Sequence, residues 1–200
     1  MYELALFAGA GGGIIGGMLH GWRTIGAVEI EDYPRRVLLQ RQADGILPAF
    51  PIWDDICTFR IDNQECTEFI KAMQGIREQL VITGGFPCQD ISVAGAGAGI
   101  EGAKSGLWSE MARVICEIRP REAYMENSPM LVSRGLAVVI SDLAEMGYAA
   151  KWGVLGADKL GGWHKRNRIW IRATSVSYSD NDGQASAKER ECAEKGSNAS

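Results

Sequence analysis

Short apolar segments alternate with stretches of helical periodicity along most of this chain, and that alternation limits the folds open to it. Residues 3–7, 24–29, 80–83, 123–125, 148–154 and 168–173 read as strands. Between them lie helical patterns at 32–42, 67–79, 107–118 and 136–146. In the segment 107–118, Leu107, Met111, Val114, Ile115 and Ile118 repeat at the spacing of one helix face. Strand–helix alternation predicts an α/β chain, doubly wound around a mostly parallel sheet. In such sheets ligands bind at the carboxyl ends of the strands. Gly9, Glu29, Asp55, Cys88 and Glu126 all fall at or near such ends.

At 200 residues the chain is long enough to bury one core without staples. Glycine is abundant, with 25 residues, many of them within 9–17 and 84–106. Glycines grouped in this way suit loops that approach a ligand closely. The formal charge is −4, so bulk basicity does not mark a nucleic-acid binder. Such a role would need a local basic patch or basic surface elsewhere. Lys165, Arg166, Arg168, Arg119 and Arg121 are the obvious candidates for phosphate contacts. The five cysteines form no CxxC and no metal-ligand spacing, which predicts free thiols in a reducing compartment. The two histidines, His20 and His164, are too scattered for a metal site. No signal peptide precedes the first strand, and no apolar run approaches the ~18 residues of a membrane span. Residues 175–200 are polar and lack apolar periodicity, which predicts a disordered or displaced tail after a domain spanning 1–174.

Four groups of residues have chemistry to offer. Phe7-Ala8-Gly9-Ala10-Gly11-Gly12 follows the first strand, and residues 11–16 fit GxGxxG. A glycine turn running into a helix exposes backbone N–H groups, and Glu29 at the end of the next strand could accept ribose hydroxyls. On these features an NAD-type dehydrogenase is equally allowed. Cys88, within Gly85-Phe86-Pro87-Cys88-Gln89, stands just past a strand on a long loop, where a thiolate can act as nucleophile. Most cysteines are buried and inert. Glu126-Asn127 ends another strand, where a carboxyl could deliver a proton or simply be solvated. In Arg166-Asn167-Arg168 the alternation puts both arginines on one side of a strand, or on a solvated edge.

Taken in order, these motifs together with Asp55-Ile56 resemble the cytosine-C5 DNA methyltransferase family over residues 3–174. Ser92-Val93-Ala94-Gly95 and Ser105-Gly106-Leu107-Trp108 add to the likeness. The resemblance implies a Rossmann-like methyltransferase fold, S-adenosyl-L-methionine as cofactor and double-stranded DNA as substrate. It implies that Phe7, Gly9, Gly11 and Gly12 shape the cofactor pocket. Glu29 would hold the ribose, Ile30 would pack on the adenine, and Asp55 and Ile56 would contact the adenine edge. Cys88 would attack cytosine C6, Glu126 would hydrogen-bond the ring nitrogen and the exocyclic amine, and Arg168, supported by Arg166, would contact the base carbonyl. The base must leave the duplex to reach Cys88, with the segment 84–105 as lid. Asp90, Ser128 and His164 depart from the residues common in the family at those places. Family members continue into a target-recognition region and a final helix. The expectation is therefore a truncated reading frame, or one half of a split enzyme with a second chain for recognition, in the cytoplasm of a bacterial or phage-infected cell. A non-catalytic cofactor- or DNA-binding remnant, and an RNA substrate, are the other readings.

Overall fold

The computed structural model describes residues 1–87 and 106–176. The strands are β1 (Tyr2–Leu6), β2 (Arg23–Val28), β3 (Ile52–Trp53), β4 (Leu80–Gly84), β5 (Glu122–Asn127), β6 (Tyr148–Gly156) and β7 (Asn167–Ser175). They form one seven-stranded sheet in the order β3-β2-β1-β4-β5-β7-β6. The pairs β1–β2, β1–β4 and β2–β3 are parallel, and β6–β7 is antiparallel. This is the mostly parallel α/β sheet that the alternation predicts. Strand order reverses between β1 and β4, the place where doubly wound sheets bind ligands. The helices are α1 (Gly12–Leu19), α2 (Asp32–Ala43), α3 (Thr67–Gly75), α4 (Leu107–Ile118), α5 (Leu131–Arg134) and α6 (Leu136–Glu145).

Contacts divide the chain into two units. The first holds Met1–Gly85 and Ile118–Ala123. Its apolar strands 4–6 and 80–82 are buried, as parallel strands covered on both faces must be. Ala5, Ile14, Ala27, Leu38, Leu47 and Phe50 form a core cluster that joins β1 and β2 to α1 and α2. Pro34 sits in the first turn of α2, where its missing N–H costs nothing. The helical pattern at 67–79 is split in the structure. α3 stops at Gly75, and Arg77–Gln79 forms a 3-10 turn, because glycine is a poor helix former.

The second unit holds the described residues within Phe86–Glu117 and Tyr124–Ser200. Val139 and Leu143 of α6 are buried, as are Ile169, Ile171 and Ala173 on alternate positions of β7. Cys57 is an exposed thiol and Cys66 a buried one, but Cys116 is in a disulfide, which corrects the expectation of free thiols throughout. Among the described residues no helix is long and apolar enough to cross a membrane, and no cluster of His, Cys, Asp and Glu could hold a metal.

Candidate functional site

In the first unit the site begins where β1 ends. Phe7, Gly9 and Gly11 all have positive φ, at 51°, 53° and 87°. Only the two glycines take that conformation without a Cβ penalty. Gly11 is doubly constrained, because a Cβ there would lie 2.8 Å from Leu38 Cδ2. Gly9, Gly12, Gly13 and Gly16 are the opposite case, since a Cβ at any of them would meet nothing within 4 Å. The turn therefore presents bare backbone to open space, a cradle that side chains would fill. The Arg41 guanidinium hydrogen-bonds the Ala10 carbonyl and ties α2 to this turn.

Glu29 follows β2 and is only 7% exposed. Its Oε2 accepts the Gly9 N–H at 2.6 Å, and its Oε1 accepts the Glu31 N–H at 2.8 Å. The carboxylate thus holds the glycine turn in place, a role that the sequence pattern does not show. Each oxygen keeps a second lone pair for a ligand. Ile30, next in sequence, is 62% exposed, as a residue offering its side chain to a ring would be. Asp55 Oδ1 accepts the Cys57 N–H at 2.8 Å and shapes the turn after β3. Ile56 is buried.

Below the turn lies an acid that sequence reasoning misses. Glu3 is fully buried in β1, with Thr24 Oγ1 donating to it at 2.7 Å and Thr83 Oγ1 at 2.8 Å. Burial pushes its pKa above the ordinary carboxyl value, and the two hydroxyl donors offset part of that rise. Its place within an apolar strand gives no signal, because glutamate is so commonly exposed.

In the second unit, Glu126 lies near the end of β5 and forms an ion pair with Arg168 Nε of β7. Arg168 Nη1 also donates to the Asn167 carbonyl at 2.9 Å. Arg166 stands one residue before β7, is exposed, and does not share this pair. The strand alternation that groups it with Arg168 begins only at Asn167.

Cys88 lies outside the described residues, but the two residues before it do not. Phe86 is buried, its ring 5.2 Å from that of Trp108 at an interplanar angle of 49°. The Trp108 indole in turn donates to Asp142 Oδ2 at 2.7 Å. Asn127, only 3% exposed, donates from Nδ2 to the Phe86 carbonyl at 2.8 Å and accepts the Ser128 N–H at 2.7 Å. Asn127 is not among the site residues predicted from sequence. Its signal there is its place directly after a strand-end acid, within the Glu126-Asn127 motif.

The sheet order and the glycine turn define a Rossmann-like α/β fold. A prophage-encoded E. coli protein assigned as a DNA modification methyltransferase superposes with a TM-score of 0.68 at 18% identity, covering 92% of this chain and 49% of that one. S. pombe Dnmt2 methyltransferase gives 0.63 at 15% identity, covering 88% and 49%. The C-5 cytosine-specific DNA methylase family model matches residues 1–199, and the chain belongs to that family. Its relatives include the Type II methyltransferase M.CviJI of Paramecium bursaria Chlorella virus IL3A, 32% identical over 88% of this chain and 43% of the relative. Type II methyltransferase M.Sau96I of Staphylococcus aureus is 29% identical over 82% of this chain and 36% of the relative. The chain thus spans less than half the length of these curated relatives.

Proposed function

We propose that this chain carries the cofactor-binding and catalytic residues of a DNA (cytosine-5)-methyltransferase of a restriction–modification type. The observation that carries the reading is the Glu126–Arg168 ion pair, with Asn127 beside it holding the carbonyl two residues before Cys88, in a chain of this family. Residues 1–174 are the catalytic domain in this reading. The NAD alternative leaves these features without a role.

The cofactor fits the residues present. The open face over Gly9, Gly12, Gly13 and Gly16 is a cradle for an adenosyl ligand, with Phe7 and Gly11 setting its shape. Glu29 would accept the ribose hydroxyls, Ile30 would cover the adenine, and Asp55 with Ile56 would meet its edge. S-adenosylmethionine, when bound, supplies a methyl group on an electrophilic sulfonium.

The chain's own residues make cytosine C5 reactive. The Cys88 thiolate forms a bond to C6 of an extruded cytosine, and the C5–C6 electron pair moves toward N3. Glu126 holds a proton at N3 and accepts a hydrogen bond from the exocyclic amine. Arg168 holds Glu126 and reaches the base carbonyl, with Arg166 in support. Once C5 carries the methyl group it gives its proton to water, and N3 returns its proton to Glu126. The electron pair re-forms the C5–C6 double bond and Cys88 leaves as thiolate. Reading a DNA sequence requires side chains at base edges. A second chain would supply such side chains, and the enzyme would act in the cytoplasm of a bacterial or phage-infected cell.

The test is a duplex with 5-fluorocytosine at the target, incubated with cofactor. Fluorine cannot leave as a proton does, so a covalent adduct should accumulate and map to Cys88. An adduct that persists in Cys88→Ala sinks the assignment. So does the absence of heat with S-adenosylmethionine in calorimetry on folded protein.

A further inference from the structure

The β6–β7 hairpin differs in charge from the rest of the molecule. Residues 148–176 contain six cations, Lys151, Lys159, Lys165, Arg166, Arg168 and Arg172, against the single acid Asp158, in a chain whose formal charge is −4. Two of the six are engaged, Arg168 with Glu126 and Arg172 over the Tyr124 ring at 5.7 Å. The side chains of Lys151, Lys159, Lys165 and Arg166 are exposed and make no ion pair or hydrogen bond among the described residues.

Aromatic rings lie among these cations. The residues of β7 alternate, with Ile169, Ile171 and Ala173 in the core and Arg168, Trp170 and Arg172 on the other face. Trp170 is half exposed, and its register partner on β6 is Gly153, whose missing Cβ would meet nothing within 4 Å. The neighbouring register pair on the same face is Lys151–Arg172. An indole on this face therefore has a cation on either side along its own strand and no side chain opposite it.

The connection between the strands carries a further ring and further cations. Trp163 is fully exposed there, two residues before Lys165. The connection is tightly built. Gly161 has φ +86°, the Gly162 N–H donates to the Ala157 carbonyl at 2.8 Å, and a Cβ on Gly162 would lie 2.8 Å from that same oxygen. The Ala157 N–H donates to the Arg166 carbonyl at 3.2 Å and closes the loop. Large indoles left in water on a tightly bonded, cationic hairpin mark an interaction surface.

We infer that this hairpin grips nucleic acid through its exposed Trp170, Trp163 and unpaired lysines. The cations sit on phosphates and the indoles stack on base faces freed from the helix. The charge contrast selects a polyanion, and the interleaved rings suit exposed bases. This inference rests on the proposed function only in taking DNA as the substrate.

Full-length chain, wild type and variants, is titrated against a matched DNA duplex and against the same duplex with one bulged cytosine. The lysine pair Lys151→Glu with Lys165→Glu should lower the slope of log affinity against log salt by roughly 1.5 on both duplexes. Trp163→Ala with Trp170→Ala should weaken the bulged duplex by about tenfold or more and the matched one less, while Trp→Phe at both sites retains most of the binding. All four positions are exposed, and a thermal melt checks that each variant folds. Wild-type chain that binds neither duplex at low salt overturns the inference, as do variants that bind like wild type. So does a result in which the tryptophan changes abolish self-association or capture of an acidic protein and leave DNA binding intact. Cofactor heat and the Cys88 adduct, read at saturating DNA, report the proposed function separately. Their failure beside altered DNA binding refutes methyl transfer and leaves this surface standing.

Discussion

Removing the Asn127 side chain should slow covalent chemistry at Cys88 while leaving cofactor affinity alone. Asn127 is only 3% exposed, and it satisfies the Phe86 carbonyl at 2.8 Å and the Ser128 N–H at 2.7 Å. Asn127→Ala leaves both groups without that partner. Each stranded buried group costs about 1–3 kcal/mol. Phe86 is buried but Ser128 is partly exposed, so water can rescue the second. The net loss should be about 2–4 kcal/mol, which a domain with roughly 5–15 kcal/mol of stability survives. The Phe86 ring stays against Trp108, so the stretch should shift and not detach. A misplacement on the order of 1 Å at a reacting atom can cost ~100-fold in rate. Urea melts measure the first effect, and the rate of 5-fluorocytosine adduct formation at saturating DNA measures the second. Asn127→Asp isolates the donor, since it keeps an acceptor for Ser128 and presents an oxygen to the Phe86 carbonyl. Cofactor calorimetry should not change in either variant, because the Gly9–Glu29 turn belongs to the other unit. Wild-type adduct rates in Asn127→Asp, or equal losses in cofactor affinity and adduct rate, would refute the positioning role.

Glu29→Gln removes one of the two acceptors that hold the Gly9 and Glu31 N–H groups, so S-adenosylmethionine affinity should fall about tenfold or more, as expected for a charge-assisted bond of roughly 1.5–3 kcal/mol. Unchanged calorimetric affinity would show that the carboxylate supports neither turn nor ligand. Gly11→Ala forces a left-handed alanine and drives its Cβ against the buried Leu38, so chemical denaturation should show a loss of roughly 2–4 kcal/mol; a loss near zero would mean the turn can re-form with a side chain. Glu3 has a folded pKa raised by burial, so its protonated form stabilises the fold at low pH and that contribution is lost as pH rises through the folded value. Glu3→Gln should therefore be relatively more stable at pH 8 than at pH 5 when each is compared with wild type in urea melts. A difference from wild type that is the same at both pH values counts against the argument.

The strand and helix pattern is legible because buried parallel strands are apolar runs and amphipathic helices repeat at 3.6 residues. The segment 107–118 matches its helix residue for residue. What escapes is small or set by long-range contact. β3 has two residues and α5 has four, too few for a period to show. The Glu29 carboxylate reads from sequence as a ligand acceptor, yet its backbone partners include Gly9, 20 residues away, which no local pattern could reveal. Asn127 stands beside Glu126 without a visible role, because a hydrogen bond to a carbonyl 41 positions earlier leaves no trace in spacing. Alternation groups Arg166 with Arg168, and the strand begins after it.

The Glu126–Arg168 pair ties the candidate chemistry to strand register. Arg168 pairs across the hairpin with Leu155, and it reaches Glu126 only because this register puts it on the face opposite Ile169 and Ile171. A slip of one residue would turn Arg168 toward the core and Ile169 outward, so burial of the two isoleucines and placement of the arginine are the same constraint. The hydrophobic pattern of β7 thereby fixes the position of a charged group. That group in turn restrains Glu126 before any base arrives, so the cost of ordering this carboxylate is met in folding and not in binding. The same alternation sends Trp170 and Arg172 to the side of Arg168. The hairpin that pairs with Glu126 thus presents, on the same face and in the same register, the Trp170 and Arg172 of the surface inferred to meet the nucleic acid.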